Sequence, residues 1–122
     1  MQKLRKGGYD GKGVTKLTEE TDFQNAFDAP SVMEQMVNFK KEIAVIVARS
    51  CNGEEAVYDA VEMDFNPQQN LVEFLQMPAY VSDSVAIKAK EIALKIAEKA
   101  GIVGILAVEM FLTQDDEILV NE

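Results

Sequence analysis

The stretch SDSVAIKAKEIALKIAEKAGIVGILAVEMFL, Ser82–Leu112, decides the fold class. Val85, Ala89, Ile92 and Ile96 fall at i, i+4, i+7 and i+11, the spacing of one buried helical face. Ser82 offers a side-chain oxygen to the first free amides, and Gly101 can take the left-handed conformation that closes a helix. The spacing therefore predicts a helix over Asp83–Ala100, with Glu91 and Lys95 placed to pair on its surface. Beyond Gly101 the pattern changes: Ile102–Leu112 is apolar almost throughout and reads as a strand, paired with Ile118–Val120 across the turn Gln114-Asp115-Asp116. Towards the N-terminus, the β-branched run Lys41–Arg49 is the clearest strand, bounded by Cys51-Asn52-Gly53. Ala56–Phe65 reads as its antiparallel partner, and Leu71–Met77 as a further short strand ended by Pro78. Ser31–Phe39 reads as extended. A short helix is expected over Glu19–Phe27, stopped by Asp28-Ala29-Pro30, because the residue before proline avoids the helical region. Strands, one long helix, then strands predict an α+β domain with an antiparallel sheet.

A chain of 122 residues with 48% hydrophobic and 27% charged residues has the composition of one ordinary globular domain. The net charge of -9 argues against a nucleic-acid groove and against an anionic membrane surface. Lys3, Arg5, Lys6 and Lys12 form the only dense cluster of cations. The sequence has no histidine and one cysteine, Cys51, which excludes His/Cys zinc sites and histidine-dependent triads. Cys51 reads as a turn residue. The apolar runs Ile43–Ala48 and Ile102–Leu112 are too short to span a bilayer, and a cytoplasmic location is expected. Chemistry must then rest on carboxylates, lysines and backbone amides.

Three segments carry such groups. Gly7-Gly8-Tyr9-Asp10-Gly11-Lys12-Gly13 packs four glycines into seven residues, which lets amide groups approach phosphate oxygens, and Lys12 adds a charge. It matches neither a P-loop, which needs Gly-Lys-Ser/Thr opening a helix where Gly13-Val14 follows here, nor the dinucleotide fingerprint. Taken alone, the loop reads equally as a phosphate cradle or as a surface hairpin. Glu109 interrupts an apolar strand, and a buried carboxylate needs a cation, a metal or a donor. A hairpin would set Asn121-Glu122 beside it, giving hard oxygen ligands suited to Mg²⁺; a solvent-facing glutamate is the equal alternative. Glu34 and Glu42 flank a further extended segment, where ordinary exposed charges are the simpler reading. Lys40-Lys41 reads as solvated surface.

In this order the segments resemble the ATP-grasp enzymes, and among them the N5-carboxyaminoimidazole ribonucleotide synthetase branch. The resemblance is carried by KLRKGGYDGKG (Lys3–Gly13), EQMVNF (Glu34–Phe39) with Lys41-Glu42-Ile43, the Val45–Arg49 strand, VGILAVEMFL (Val103–Leu112) and Asn121-Glu122. It implies a partial ATP-grasp fold over residues 1–122, with an N-terminal domain and a C-terminal substrate-binding segment not included. It implies that Lys3 contacts ATP, and that Gly8, Tyr9, Asp10, Gly11, Lys12, Gly13 and Val14 fold over its phosphates. Glu34, Gln35, Met36 and Val37 would form the hinge holding adenine, and Glu42 would bind the ribose. Glu109 and Glu122 would hold Mg²⁺, with Asn121 beside them. The implied reaction transfers a phosphoryl group from ATP to bicarbonate and carboxylates aminoimidazole ribonucleotide, in the purine pathway. A homodimer is expected, and the isolated piece should not complete the reaction. Two positions depart from the branch: Phe65 stands where a histidine is common, and Asp59 where proline is usual. Another ATP-grasp carboxylase or carboxylate–amine ligase, and a non-catalytic nucleotide-binding or oligomerisation module, are the alternative readings.

Overall fold

The β-branched run that dominates the middle of the sequence forms the longest strand, Phe39–Arg49. The computed structural model describes residues 1–8, 12–66 and 71–122, with Thr21 by its backbone alone. In chain order the strands are β1 (Gln2–Leu4), β2 (Val14–Thr15), β3 (Ser31–Met33), β4 (Phe39–Arg49), β5 (Glu55–Val57), β6 (Val61–Asn66), β7 (Leu71–Gln76), β8 (Gly104–Thr113) and β9 (Ile118–Val120). The single α-helix, α1, is Asp83–Lys99, and a 3-10 helix spans Glu20–Asn25. These elements form two units, Met1–Val37 with Asn66–Leu71, and Asn38–Phe65 with Val72–Glu122.

The second unit is an antiparallel sheet of order β7-β6-β4-β8-β9, with β5 also paired to β4. Pairing of Ile43 with Met110 and of Val45 with Val108 puts these four side chains on one face, where they are buried with Val47 and Leu112. Helix α1 covers that face with Val85, Ala89, Ala93 and Ala97. Of the face expected from Val85, Ala89, Ile92 and Ile96, the first two are buried, and both isoleucines pack half-buried against the core beside Ala93 and Ala97. Alanine takes the central stripe because its small side chain lets the helix backbone approach the strands. The helix begins as its sequence requires, with Ser82 Oγ accepting from Val85 N at 3.4 Å. It ends with Gly101 at φ +63° and Ile102 N donating to Ala97 O at 3.0 Å. Among the described residues its ion pair is made by Lys90, not Lys95: Lys90 Nζ lies 2.6 Å from Asp59 Oδ1.

That pair also accounts for a second difference. Ala56–Phe65 reads as one strand in the sequence, yet it is split into β5 and β6 at Tyr58-Asp59-Ala60. Ala60 turns inward to 3% exposure and its carbonyl accepts from Ala79 N, while Asp59 reaches the helix. The departure from proline at Asp59 is thus occupied by a structural ion pair. Cys51 is exposed in its turn.

The first unit is a three-stranded antiparallel sheet of order β2-β1-β3. The Gln2 amide ties it together: Nε2 donates to Phe27 O and Ser31 Oγ, and Oε1 accepts from Phe27 N at 2.8 Å. The helix expected over Glu19–Phe27 is a shorter 3-10 helix. Asp22 folds back to accept from Thr18 N at 2.7 Å and from Glu19 N at 3.1 Å, closing a tight turn in place of an α-helical start. After β3, residues 34–38 have no regular structure. No helix among the described residues is long and apolar enough to cross a membrane.

Candidate functional site

The strand pair β8–β9 ends in a bulge. Glu109 N donates to Glu122 O at 2.7 Å, and Glu109 O accepts from Asn121 N at 2.8 Å and from Glu122 N at 3.4 Å. Two residues therefore oppose one, which draws both Asn121 and Glu122 up to Glu109. Glu109 is half-buried. Burial raises its carboxyl above the ordinary carboxylate range, and the Glu122 charge and a side-chain hydrogen bond with Glu122 push the same way. Among the described residues no lysine or arginine pairs with either glutamate. Glu42 pairs in register with Phe111, and Ala44 with Glu109. Glu42 and Glu109 consequently share the face of the sheet turned away from α1. Phe111 on that face stacks on Phe39, with ring centroids 4.5 Å apart.

This donor set fits a hard divalent cation. Two adjacent carboxylates without a basic partner among the described residues, plus an amide, supply oxygen ligands. Among the described residues no cluster of three or more acidic, histidine or cysteine side chains occurs. Mg²⁺ held here would therefore draw its remaining ligands from water and phosphate oxygens, its usual habit.

The first unit carries the other set. Beyond β1 and β2 the glycine-rich segment closes on itself: Leu4 N donates to Gly13 O at 2.8 Å. Gly13 has φ +82°, and a Cβ there would lie 2.9 Å from Gly8 Cα. Backbone approaches backbone at this stem, and only glycine fits. Tyr9, Asp10 and Gly11 lie outside the described residues; Lys12 is exposed and Val14 half-buried. Lys3 pairs in register with Val14 and Val32, and its Nζ lies 2.9 Å from Glu34 Oε2. The structure thus joins Lys3 and Glu34, which the sequence treats separately. Gln35 and Met36 are exposed, and Val37 is half-buried at the end of the unit's first segment. One unit assembles Lys3, the glycine stem and Glu34; the other assembles Glu42, Glu109, Asn121 and Glu122.

Sequence reasoning missed the Gln2 clamp, whose partners lie 25 and 29 residues away. It also took Lys40 and Lys41 for solvated charges. Both are paired, Lys40 with Asp116 in the β8–β9 turn and Lys41 with Glu62 on β6. No local pattern announces such partners, although a lysine pair opening a strand is a weak signal.

The ATP-grasp domain matches residues 1–122. The chain belongs to the ATP-grasp family. It is 42% identical to N5-carboxyaminoimidazole ribonucleotide synthase of Bacillus subtilis, over 98% of this chain and 32% of that protein. An ADP complex of N5-carboxyaminoimidazole ribonucleotide synthetase superposes with a TM-score of 0.91 at 38% identity, over 99% of this chain and 33% of that one. The Aspergillus clavatus N5-carboxyaminoimidazole synthase, solved with ADP and 5-aminoimidazole ribonucleotide, gives 0.83 at 31% identity, over 100% of this chain and 32% of that one. This ATP-grasp chain spans about a third of the length of these relatives.

Proposed function

We propose that this chain supplies the Mg-ATP-binding part of a ligase that makes N5-carboxyaminoimidazole ribonucleotide from 5-aminoimidazole ribonucleotide and bicarbonate, a step of purine biosynthesis. The observation that carries this reading is the bulge that sets Asn121 and Glu122 against Glu109. Its support is the likeness to relatives of that name at up to 42% identity. The amides of the loop from Gly8 to Val14 and the Lys12 charge close over the phosphates, and Lys3 meets the nucleotide beside them. Glu34, Gln35, Met36 and Val37 present backbone groups to adenine, and Glu42 accepts hydrogen bonds from the ribose hydroxyls. Glu109 and Glu122 hold Mg²⁺ with Asn121 adjacent. The cation, when bound, neutralises phosphate charge as the γ-phosphoryl group moves. Bicarbonate oxygen takes that group to give carboxyphosphate and ADP; the aminoimidazole nitrogen then takes the carboxyl group and phosphate leaves. The chain's residues contribute by orienting ATP and excluding water. The same reading places the protein in the cytoplasm as a homodimer, away from nucleic acid and membrane.

Calorimetric titration with Mg-ATP tests this. Glu109→Gln and Glu122→Gln should each weaken binding about tenfold or more, because a lost ligand costs at least what a lost supporting contact does. Binding indifferent to both substitutions sinks the metal assignment. In a protein of the relatives' length carrying this sequence, ATP hydrolysis should rise with 5-aminoimidazole ribonucleotide plus bicarbonate. No response to that pair points to an ATP-grasp ligase with another acceptor.

A further inference from the structure

The carboxylate pair depends on a weak element. β9 is three residues long, lies at the sheet edge and pairs only with β8. Yet it must hold Asn121 and Glu122 against Glu109. The turn joining β8 to β9 is fastened to a different strand. Lys40 Nζ lies 2.6 Å from Asp116 Oδ1, a contact that spans 76 residues of sequence and links the turn to the start of β4. Lys40 is the residue at which the β4–β8 register slips, between the pairs Phe39–Thr113 and Lys41–Leu112. Such a slip re-aims the side chain that it displaces. Asp116 holds φ +60°, which aspartate tolerates, and its amide donates to Thr113 O at 3.2 Å. Phe39, which precedes Lys40 in the sequence, stacks on Phe111.

We propose that Lys40 and Asp116 are positioning residues: their ion pair pins the β8–β9 turn to β4 and so keeps Asn121 and Glu122 seated opposite Glu109. Neither side chain touches the nucleotide. The inference rests on the reading of Glu109 and Glu122 as metal ligands. The pair is partly exposed, with side-chain exposures of 31% and 59%, so it adds little to global stability. Its effect is on the turn and edge strand, which are otherwise anchored by Ile118 in the core and by pairing with β8, and which lose their tie to β4 when the ion pair is removed.

The test uses Lys40→Met, Asp116→Asn and Lys40→Arg. Asparagine keeps the left-handed turn and removes only the charge; arginine keeps the charge and should restore wild-type behaviour. In the two neutral variants, hydrogen exchange at the amides of Asn121 and Glu122 should quicken by about two- to fivefold, the range open to a surface ion pair. Exchange at Val45 and the melting temperature should stay as in wild type. The dissociation constant for Mg-ATP should rise by a similar factor, and salt at about 0.5 M should erase the difference. Unchanged exchange at Asn121 and Glu122 overturns the proposal, as does a change that arginine fails to restore. Faster exchange in a chain whose wild type ignores Mg-ATP sustains the latch and overturns the metal reading instead.

Discussion

The two units of this chain are held by different forces. The second has an apolar core in which Ile43, Val45, Val47, Val108, Met110 and Leu112 lie under α1. The first, among its described residues, buries no apolar side chain; its one buried residue is Gln2, at 7% exposure. An apolar core is stabilised by area removed from water and fails cooperatively. A polar clamp is local, and elements held that way open at low free energy. The contrast suits the proposed roles: a loop that folds over a nucleotide has to open, whereas paired carboxylates have to keep their geometry.

The largest effect should come from the core. Met110→Ala removes a side chain at 1% exposure between the sheet and α1. A loss of about 2–5 kcal/mol is expected in urea unfolding, shared by every probe in the second unit. A loss below about 1 kcal/mol would mean that the sheet–helix layer is loosely packed, and the contrast between the units would fall. Gln2→Ala should cost less and act elsewhere. It leaves Phe27 N without the amide oxygen it donates to, at about 1–3 kcal/mol, while Ser31 Oγ keeps its bond to Ala29 O. Amide exchange in β1 and β3 should accelerate while Val45 and Val108 keep their protection. Acceleration in both units together would show a single cooperative structure.

Much of the second unit was legible because periodicity reports burial. The β-branched run gave β4, and the cap and glycine at Ser82 and Gly101 gave α1 to within one residue. Even there the buried face was read incompletely: Ile92 and Ile96 pack against the core only half-buried, while the small Ala93 and Ala97, which hydrophobic spacing passes over, are fully buried. The first unit was harder to read. Its order comes from a glutamine amide and a carboxylate turn whose partners lie off any period, so the Glu19–Phe27 segment looked α-helical. At the candidate site, the turn at Gln114-Asp115-Asp116 pointed to the hairpin. The bulge at Asn121-Glu122 was not visible, because it is a property of backbone hydrogen bonds and not of side-chain type.

Acid should separate the units by sign, with the smallest effect of the three. Backbone and side-chain hydrogen bonds from Thr18, then the amide of Glu19, lower the Asp22 carboxyl below its usual value. A lowered carboxylate contributes stability that is present above its unfolded pKa and is lost as pH falls through the folded one. Glu109 is the reverse: its carboxyl is raised, so its folded environment favours the protonated form, and that stability is present at low pH and lost as pH rises through the folded value. Without metal, lowering the pH from 7 towards 3 should therefore loosen the turn at Thr18 and Glu19 and tighten the corner at Glu109 and Glu122. Exchange at the Thr18 amide should quicken, relative to the intrinsic pH trend, and exchange at the Glu109 amide should slow. Asp22→Asn should remove the first change and Glu109→Gln the second, the latter variant gaining less than about 1 kcal/mol at pH 7 once solvent screening is allowed for. If both amides move in the same direction, the acid response is global, and the local origin assigned to each unit's stability is wrong.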